Sequence, residues 1–323
     1  PAPNLMKIAV IGIGAMGCLF AAHLHDVADV VMVGHWPEQL KALQQNGLIV
    51  QQPNGRRTHH PAHATNDPAA AAPADLAVIL VKSLQSEQAA HIAQTALAPN
   101  GIAITLQNGL GNLETLTAVL GPHRATLGTT STGADIVQPG TIKFAGHGLT
   151  HIANQQTNQP SIQRLAALLN QTGLETHLSE NVDGLVWGKL AINAGINPLT
   201  ALLRVPNGFL AENATARRIM QAAAVEAAQV AAALDIPLPY PNAAERVLEV
   251  AQATADNRSS MLQDVLRGAP TEIEAICGAV AANGRFTQTP TPINQQLLQL
   301  VQKIGNAPFT LADLQQILQE HNL

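Results

Sequence analysis

The 323-residue sequence predicts an α/β N-terminal domain, with a parallel sheet plus an antiparallel addition, followed by an all-α C-terminal domain. Three observations carry that prediction. Short apolar runs alternate with helical stretches through the first half, the pattern of strands joined by crossovers. Between residues 124 and 152 the helices drop out, and short strands separated by Gly and Pro turns take their place. From residue 184 onward the chain is almost all helical in pattern, with a 3.6-residue period clearest in the Ala-rich stretch 214–234. The domains are expected at 1–180 and 181–323, with residues 179–183 as the hinge. An α/β domain followed by a helical one is expected to enclose a cleft, a common place for a ligand.

The elements follow in order. Lys7-Ile8-Ala9-Val10-Ile11 reads as a buried strand that runs into Gly12-Ile13-Gly14-Ala15-Met16-Gly17 and a helix over 18–24. That is G-x-G-x-x-G in its strand–turn–helix setting. Gly12 allows the tight turn, Gly14 lets the backbone approach a pyrophosphate, and Gly17 lets the helix pack on the strand. Phosphates then rest on the helix N-terminus. The first domain is therefore expected to be Rossmann-like and to bind a dinucleotide. A second strand over 30–34 leads to His35 and Trp36. Residues 75–81 and 101–106 read as further buried strands with a helix over 85–97 between them. A helix over 162–170 and a strand over 175–178 close the domain.

Open parallel sheets bind ligands at the carboxyl ends of their strands. Lys82 follows one such end, and Asn108 follows another within Gln107-Asn108-Gly109. The bland reading of each is a polar residue in a turn, Asn-Gly above all. Their shared position above the sheet favours a functional one.

In the helical half, Lys189, Asn193 and Asn197 recur at i, i+4 and i+8 in an otherwise apolar segment. On a helix they share one face. A buried ammonium with two amides costs several kcal/mol unless partnered, roughly. Such a stripe faces either a structural polar network or a wet site that binds an anion and protonates something. Pro198 is expected to kink or break this helix at the carbonyl of Ala194. Helices are also expected over 242–255, 260–266, 272–282, 293–304 and 311–320. Thr271 and Glu274 fit a capping box, which puts Glu272 in a first helical turn. On spacing alone Glu272 reads as structural.

Hydrophobic residues make up 46% and charged residues 12%, so the chain is neither disordered nor fibrous. The formal charge of −5 argues against nucleic acid and membrane surfaces as general partners. No apolar run reaches the length of a membrane span. The first apolar segment lacks a signal-peptide cleavage pattern, and Met6 is a plausible native start. Cys18 and Cys277 give no disulfide framework and fit a reducing cytoplasm. His59, His60 and His63 lack cysteine partners and helical i, i+4 spacing, so no metal is expected. A surface leaning on Gln, Asn and Ala leaves room for self-association, with a homodimer as the candidate form.

Five pieces together resemble the ketopantoate reductase (2-dehydropantoate 2-reductase) family. They are Gly12–Gly17, Lys82 with Gln85, Gln107-Asn108-Gly109, Lys189 with Asn193 and Asn197, and Ser259-Ser260-Met261-Leu262-Gln263-Asp264 with Thr271-Glu272-Ile273. The resemblance covers residues 6–278. It implies NADPH-dependent reduction of 2-dehydropantoate, a small 2-oxo acid, to pantoate in pantothenate and coenzyme A synthesis. It implies Lys189 as the general acid and Glu272 on the substrate hydroxyl. Asn193, Asn197 and Ser260 would orient the rest of the substrate, with Lys82 and Asn108 beside nicotinamide and substrate. Gly12, Ile13, Gly14, Ala15, Met16, Gly17 and His35 would hold the cofactor. The sequence departs from the family at three places. His35 stands where an arginine usually meets the 2′-phosphate, Ala269 where arginine is common, and Cys277 where asparagine is common. Two alternatives stay open: a D-2-hydroxyacid dehydrogenase of the same broad family, and a non-catalytic NAD(P) redox sensor.

Overall fold

A computed structural model gives the fold and describes residues 5–154, 159–305, 307 and 309–321. The chain divides into two compact units. One is Pro1–Gln107 with Asn112–Val182, the other Asn108–Gly111 with Asp183–Leu323. The short segment Asn108–Gly111 thus leaves the first unit's sheet and packs with the second unit.

Among the described residues the first unit carries twelve strands: β1 (Lys7–Ile11), β2 (Asp29–Val33), β3 (Leu48–Gln51), β4 (Arg57–His60), β5 (Ala64–Thr65), β6 (Ala74–Ile79), β7 (Leu97–Thr105), β8 (Ala125–Thr130), β9 (Gly133–Gln138), β10 (Thr141–Gly146), β11 (Thr150–Ala153) and β12 (Thr176–Ser179). Eight form one sheet in the order β12-β11-β8-β7-β6-β1-β2-β5. Its pairings from β8 to β5 are all parallel. Alternate residues of these strands enter two different cores. Ile8 and Val10 join Met32, Leu76 and Val78, while Ala9 and Ile11 join Val31, Val33, Ala77 and Ile79. A sheet buried on both faces explains why its strands read as continuous apolar runs.

The antiparallel addition differs in detail from the expectation. β11 does add antiparallel to β8, but β12 then adds parallel to β11. β9 and β10 leave the main sheet and join β3 and β4 in a separate four-stranded sheet, in which β10 runs parallel to β3. β7 also begins four residues earlier than the apolar run suggests, through an irregular pairing with Ala74. Helices Pro37–Asn46 and Asn112–Leu120 were not expected from the sequence.

The second unit is helical. Its elements are Val182–Leu203, Asn207–Glu212, Ala214–Ala233, Ala243–Ala253, Ser260–Leu266, a π-helical turn Glu274–Gly278 running into Ala279–Thr287, Pro292–Gln302 and Leu311–His321. Small residues let its helices approach closely. A Cβ on Gly195 would lie 2.7 Å from the Met220 carbonyl oxygen, and Ala191, Ala194, Ala223, Ala224 and Ala227 are fully buried. No described helix is long and apolar enough to cross a membrane.

Two local expectations need correction. Of the two outcomes expected at Pro198, the break does not occur: the helix continues to Leu203. The carbonyl that Pro198 cannot bond, that of Ala194, instead has the Cys277 thiol 4.0 Å away. The capping box is also absent. The Glu274 carboxylate accepts from Gln302 Nε2 instead of reaching back to Thr271. Glu272 lies just before the helical residues, and its carbonyl accepts the first helical bond from Ile276 N–H at 3.1 Å.

Candidate functional site

The glycine turn is built as the motif requires. Gly12 has φ +116°, and a Cβ there would meet the Leu80 carbonyl at 2.9 Å. A Cβ on Gly17 would lie 1.8 Å from Gly12 O, so only glycine lets the helix Ala15–Leu24 sit on the turn. A Cβ on Gly14, by contrast, would meet nothing within 4 Å. The space before Gly14 is open, as a close backbone approach to a phosphate needs. The helix carries no side-chain cap and no acidic residue in its first turn. Its leading N–H groups and positive dipole end are thus left to an anion. Ile13, Ala15 and Met16 complete the turn. His35 is exposed two residues past the end of β2.

Lys82 is half-buried and stands at the start of a short 3₁₀ turn, Ser83–Gln85, beyond the carboxyl end of β6. A buried polar network fixes that turn. Gln107 Nε2 donates to Val81 O at 3.0 Å and to Ser86 Oγ at 2.9 Å, while Thr105 Oγ1 donates to Gln107 Oε1 at 2.9 Å. Ser86 Oγ lies 2.8 Å from both Ser83 O and Asn112 Oδ1, with one hydrogen for the two. In the sequence Gln107 stands out only as part of the Gln107-Asn108-Gly109 run. Its anchoring role depends on a partner 21 residues away.

The second unit gathers Lys189, Asn193, Asn197, Asn108 and Glu272. The helix Val182–Leu203 presents its lysine and two asparagines along one face, with Asn197 buried and Lys189 and Asn193 half-buried. Burial pushes the Lys189 ammonium down to about 8, and the nearby Glu272 carboxylate opposes that shift. Glu272 is 5% exposed, so its charge is held largely out of water. Asn108 Nδ2 points at Glu272 Oε2 across 3.5 Å, a long and weak contact. The Asn108 turn is pinned to the π-helical turn that follows Glu272. Leu110 N–H donates to Ala275 O at 3.0 Å, and a Cβ on Gly109 (φ +82°) would meet that same oxygen at 2.5 Å. The Asn-Gly pair is therefore a turn and also a carrier of a polar group to Glu272.

Ser260 is exposed at the start of the helix Ser260–Leu266. Its neighbour Ser259 does the structural work. Ser259 Oγ accepts from Leu262 N–H at 3.1 Å and lies 2.6 Å from Thr200 Oγ1, which itself bonds the carbonyls of Ile196 and Asn197. Ser260 is thereby tied to the helix that bears Asn197. Thr200 and Ser259 are 59 residues apart, and no local pattern announces their pairing. Ala269 offers no charged group, and the nearby Asp264 is paired instead with Arg267 at 3.1 Å. Among the described residues, no His, Cys, Asp and Glu group could hold a metal ion.

Residues 8–156 match the family described as ketopantoate reductase PanE/ApbA, and residues 181–305 match its C-terminal counterpart. A 2-dehydropantoate 2-reductase of Halobacterium salinarum is 36% identical over 299 residues, covering 92% of this chain and 98% of the relative. One from Archaeoglobus fulgidus is 32% identical, covering 93% and 98%. Among solved structures, a 2-dehydropantoate 2-reductase from Geobacter metallireducens has a TM-score of 0.86 at 26% identity, covering 92% and 99%. D-mandelate dehydrogenase with NADH and anilino(oxo)acetate has a TM-score of 0.85 at 26% identity, covering 92% and 97%.

Proposed function

The chain belongs to the ketopantoate reductase family, and on that premise we propose that it reduces 2-dehydropantoate to pantoate with NADPH, in pantothenate and coenzyme A synthesis. The observation that carries the reading is the lysine of the second unit, lowered to about 8 and electrostatically coupled to the buried Glu272. The Gly12–Gly17 turn would hold the nicotinamide cofactor, which when bound would supply the hydride for the ketone carbon.

As negative charge builds on the ketone oxygen, the Lys189 ammonium stabilises it and then delivers a proton from Nζ. An acid near 8 is still protonated at neutral pH, yet gives up its proton more readily than an ordinary lysine. Glu272 accepts a hydrogen bond from the substrate hydroxyl, and Asn108 steadies the carboxylate. Asn193, Asn197 and Ser260 orient the remaining polar groups of the substrate. His35 meets the 2′-phosphate as a weaker partner than arginine, and Lys82 adds a cation for the bound anions. A cytoplasmic homodimer belongs to the same reading, supported by two free, buried cysteines and a surface low in charge.

A second reading is favoured by one comparison. D-mandelate dehydrogenase is named with NADH and has a similar fold, and His35 lacks the fixed charge that selects a 2′-phosphate. A D-2-hydroxyacid dehydrogenase would then act on another 2-oxo acid. Turnover of 2-dehydropantoate, 2-oxoisovalerate and phenylglyoxylate with NADPH and with NADH separates the two. The first reading expects 2-dehydropantoate with NADPH to give the highest kcat/KM. Preference for phenylglyoxylate, or equal turnover of the first two acids, contradicts it.

A further inference from the structure

We propose that the exposed indole of Trp36 stacks on the adenine ring of the dinucleotide, recognising the adenosine half that His35 holds only weakly. The inference rests on the cofactor reading above and adds a residue which that reading does not use.

In a fold of this kind the adenosine ribose lies at the end of the second strand. Here that end is bonded to the phosphate turn, since Gly12 N–H donates to Val33 O at 2.9 Å. The next residue packs on the turn as well, because a Cβ on Gly34 would lie 2.5 Å from Ile13 Cγ1. The chain then turns outward through His35 and Trp36, and Trp36 is 40% exposed. That exposure leaves part of the indole accessible to a ligand. Trp36 precedes the helix Pro37–Asn46 but makes no side-chain cap to it.

The mount beneath the indole is rigid. Pro37 restricts Trp36 to extended backbone, observed at φ −78° and ψ 107°. Three residues on, Gln39 is fully buried and clamps the first turn of the helix to the phosphate turn. Its Nε2 donates to Ile13 O at 3.0 Å, and its Oε1 accepts from Gly140 N–H at 2.8 Å. An uncharged aromatic face, held beside the expected ribose position where no carboxylate or arginine follows the strand, suits a base. Every base offers a π-face, and stacking needs no charged partner.

The chain has two tryptophans, and the other, Trp187, is 5% exposed in the core of the second unit. Both indoles emit, so the Trp36 signal is read as the difference between wild type and Trp36→Phe, which keeps Trp187. ADP-ribose, which carries the adenosine but no nicotinamide, is titrated into the full chain while emission and calorimetric heat are followed. The proposal expects quenching in the wild type, none in Trp36→Phe, an affinity loss of about tenfold in Trp36→Ala, and near-normal affinity in Trp36→Phe. Heat of binding with unchanged Trp36 emission and an unaltered Kd in Trp36→Ala would overturn it, while leaving the cofactor reading intact. An absence of binding by both ADP-ribose and NADPH in the wild type would overturn the cofactor reading and this inference together.

Discussion

The glycine turn and the Lys189 helix solve opposite problems. At Gly12, Gly14 and Gly17 the proposed binding lies in the backbone, and the sequence encodes it by leaving side chains out. At Lys189, Asn193, Asn197 and Glu272 the proposed chemistry lies in polar side chains that an apolar environment must hold. The first kind of site is local and steric, so each glycine has a separate geometric reason. The second depends on partners brought from afar: Asn108 reaches Glu272 across 164 residues. Damage to the turn should weaken cofactor binding and leave substrate selection alone, whereas damage to the polar cluster should do the reverse.

The largest effect expected concerns Glu272. A site built to bond a substrate hydroxyl rejects an analogue lacking it by about 10⁴, because the buried carboxylate loses the bond that the hydroxyl supplies. Wild type should strongly prefer 2-dehydropantoate over 2-oxoisovalerate, and Glu272→Ala should lose most of that preference. Next comes Lys189→Ala, which should lower kcat by about 10² to 10⁴ while the Kd for NADPH changes little. A melting curve must accompany it, since removing the lysine leaves Glu272 buried without its charge partner. An unchanged kcat in a folded variant would return Lys189 to a structural role.

Smaller effects sharpen the contrast at the turn. Gly14→Ala adds a methyl group that meets no protein atom, so the melting temperature should hold while NADPH affinity falls several-fold, measured by calorimetry. Gly17→Ala forces a clash with Gly12 O and should cost stability as well. The smallest effect belongs to His35. His35→Ala should lower the NADPH-to-NADH ratio of kcat/KM only a few-fold, read from initial rates with each cofactor, because an imidazole lacks the bidentate fork with which arginine holds a phosphate.

Much of this contrast was legible in the sequence, for physical reasons. β1 and β6 stand out because a sheet covered on both faces demands unbroken apolar runs. The bounds of the helix Ser260–Leu266 are legible because its cap, Ser259, is local. The i, i+4, i+8 spacing of Lys189, Asn193 and Asn197 is likewise local. What escaped depends on tertiary pairing. Gln39 looks like any polar helical residue until Ile13 O appears beside it, 26 residues earlier. Glu226 gave no signal either, yet its carboxylate accepts from Ile293 and Asn294 N–H and so caps a helix 67 residues on. The capping-box expectation at Thr271 failed because a distant side chain, Gln302, took the Glu274 carboxylate first. At Pro198 the freed Ala194 carbonyl has the Cys277 thiol 4.0 Å away, a tertiary neighbour that no helical period reports.

The pH dependence of the wild-type reduction tests the central claim most directly. Lys189 must carry its proton to act as the acid, and burial lowers it to about 8. The kcat for 2-dehydropantoate reduction, measured with saturating NADPH, should therefore be level below that pH and fall tenfold per unit above it. The burial cost of the charged lysine should show in stability with the matching sign. Below pH 8 the proton is bound in both folded and unfolded states and the cost is full. Between about 8 and the ordinary lysine value near 10.4 the folded state sheds it first, so wild type should gain stability relative to Lys189→Met as pH rises. A kcat that stays level through pH 9.5, with no change in relative stability over that range, would contradict Lys189 as the proton donor.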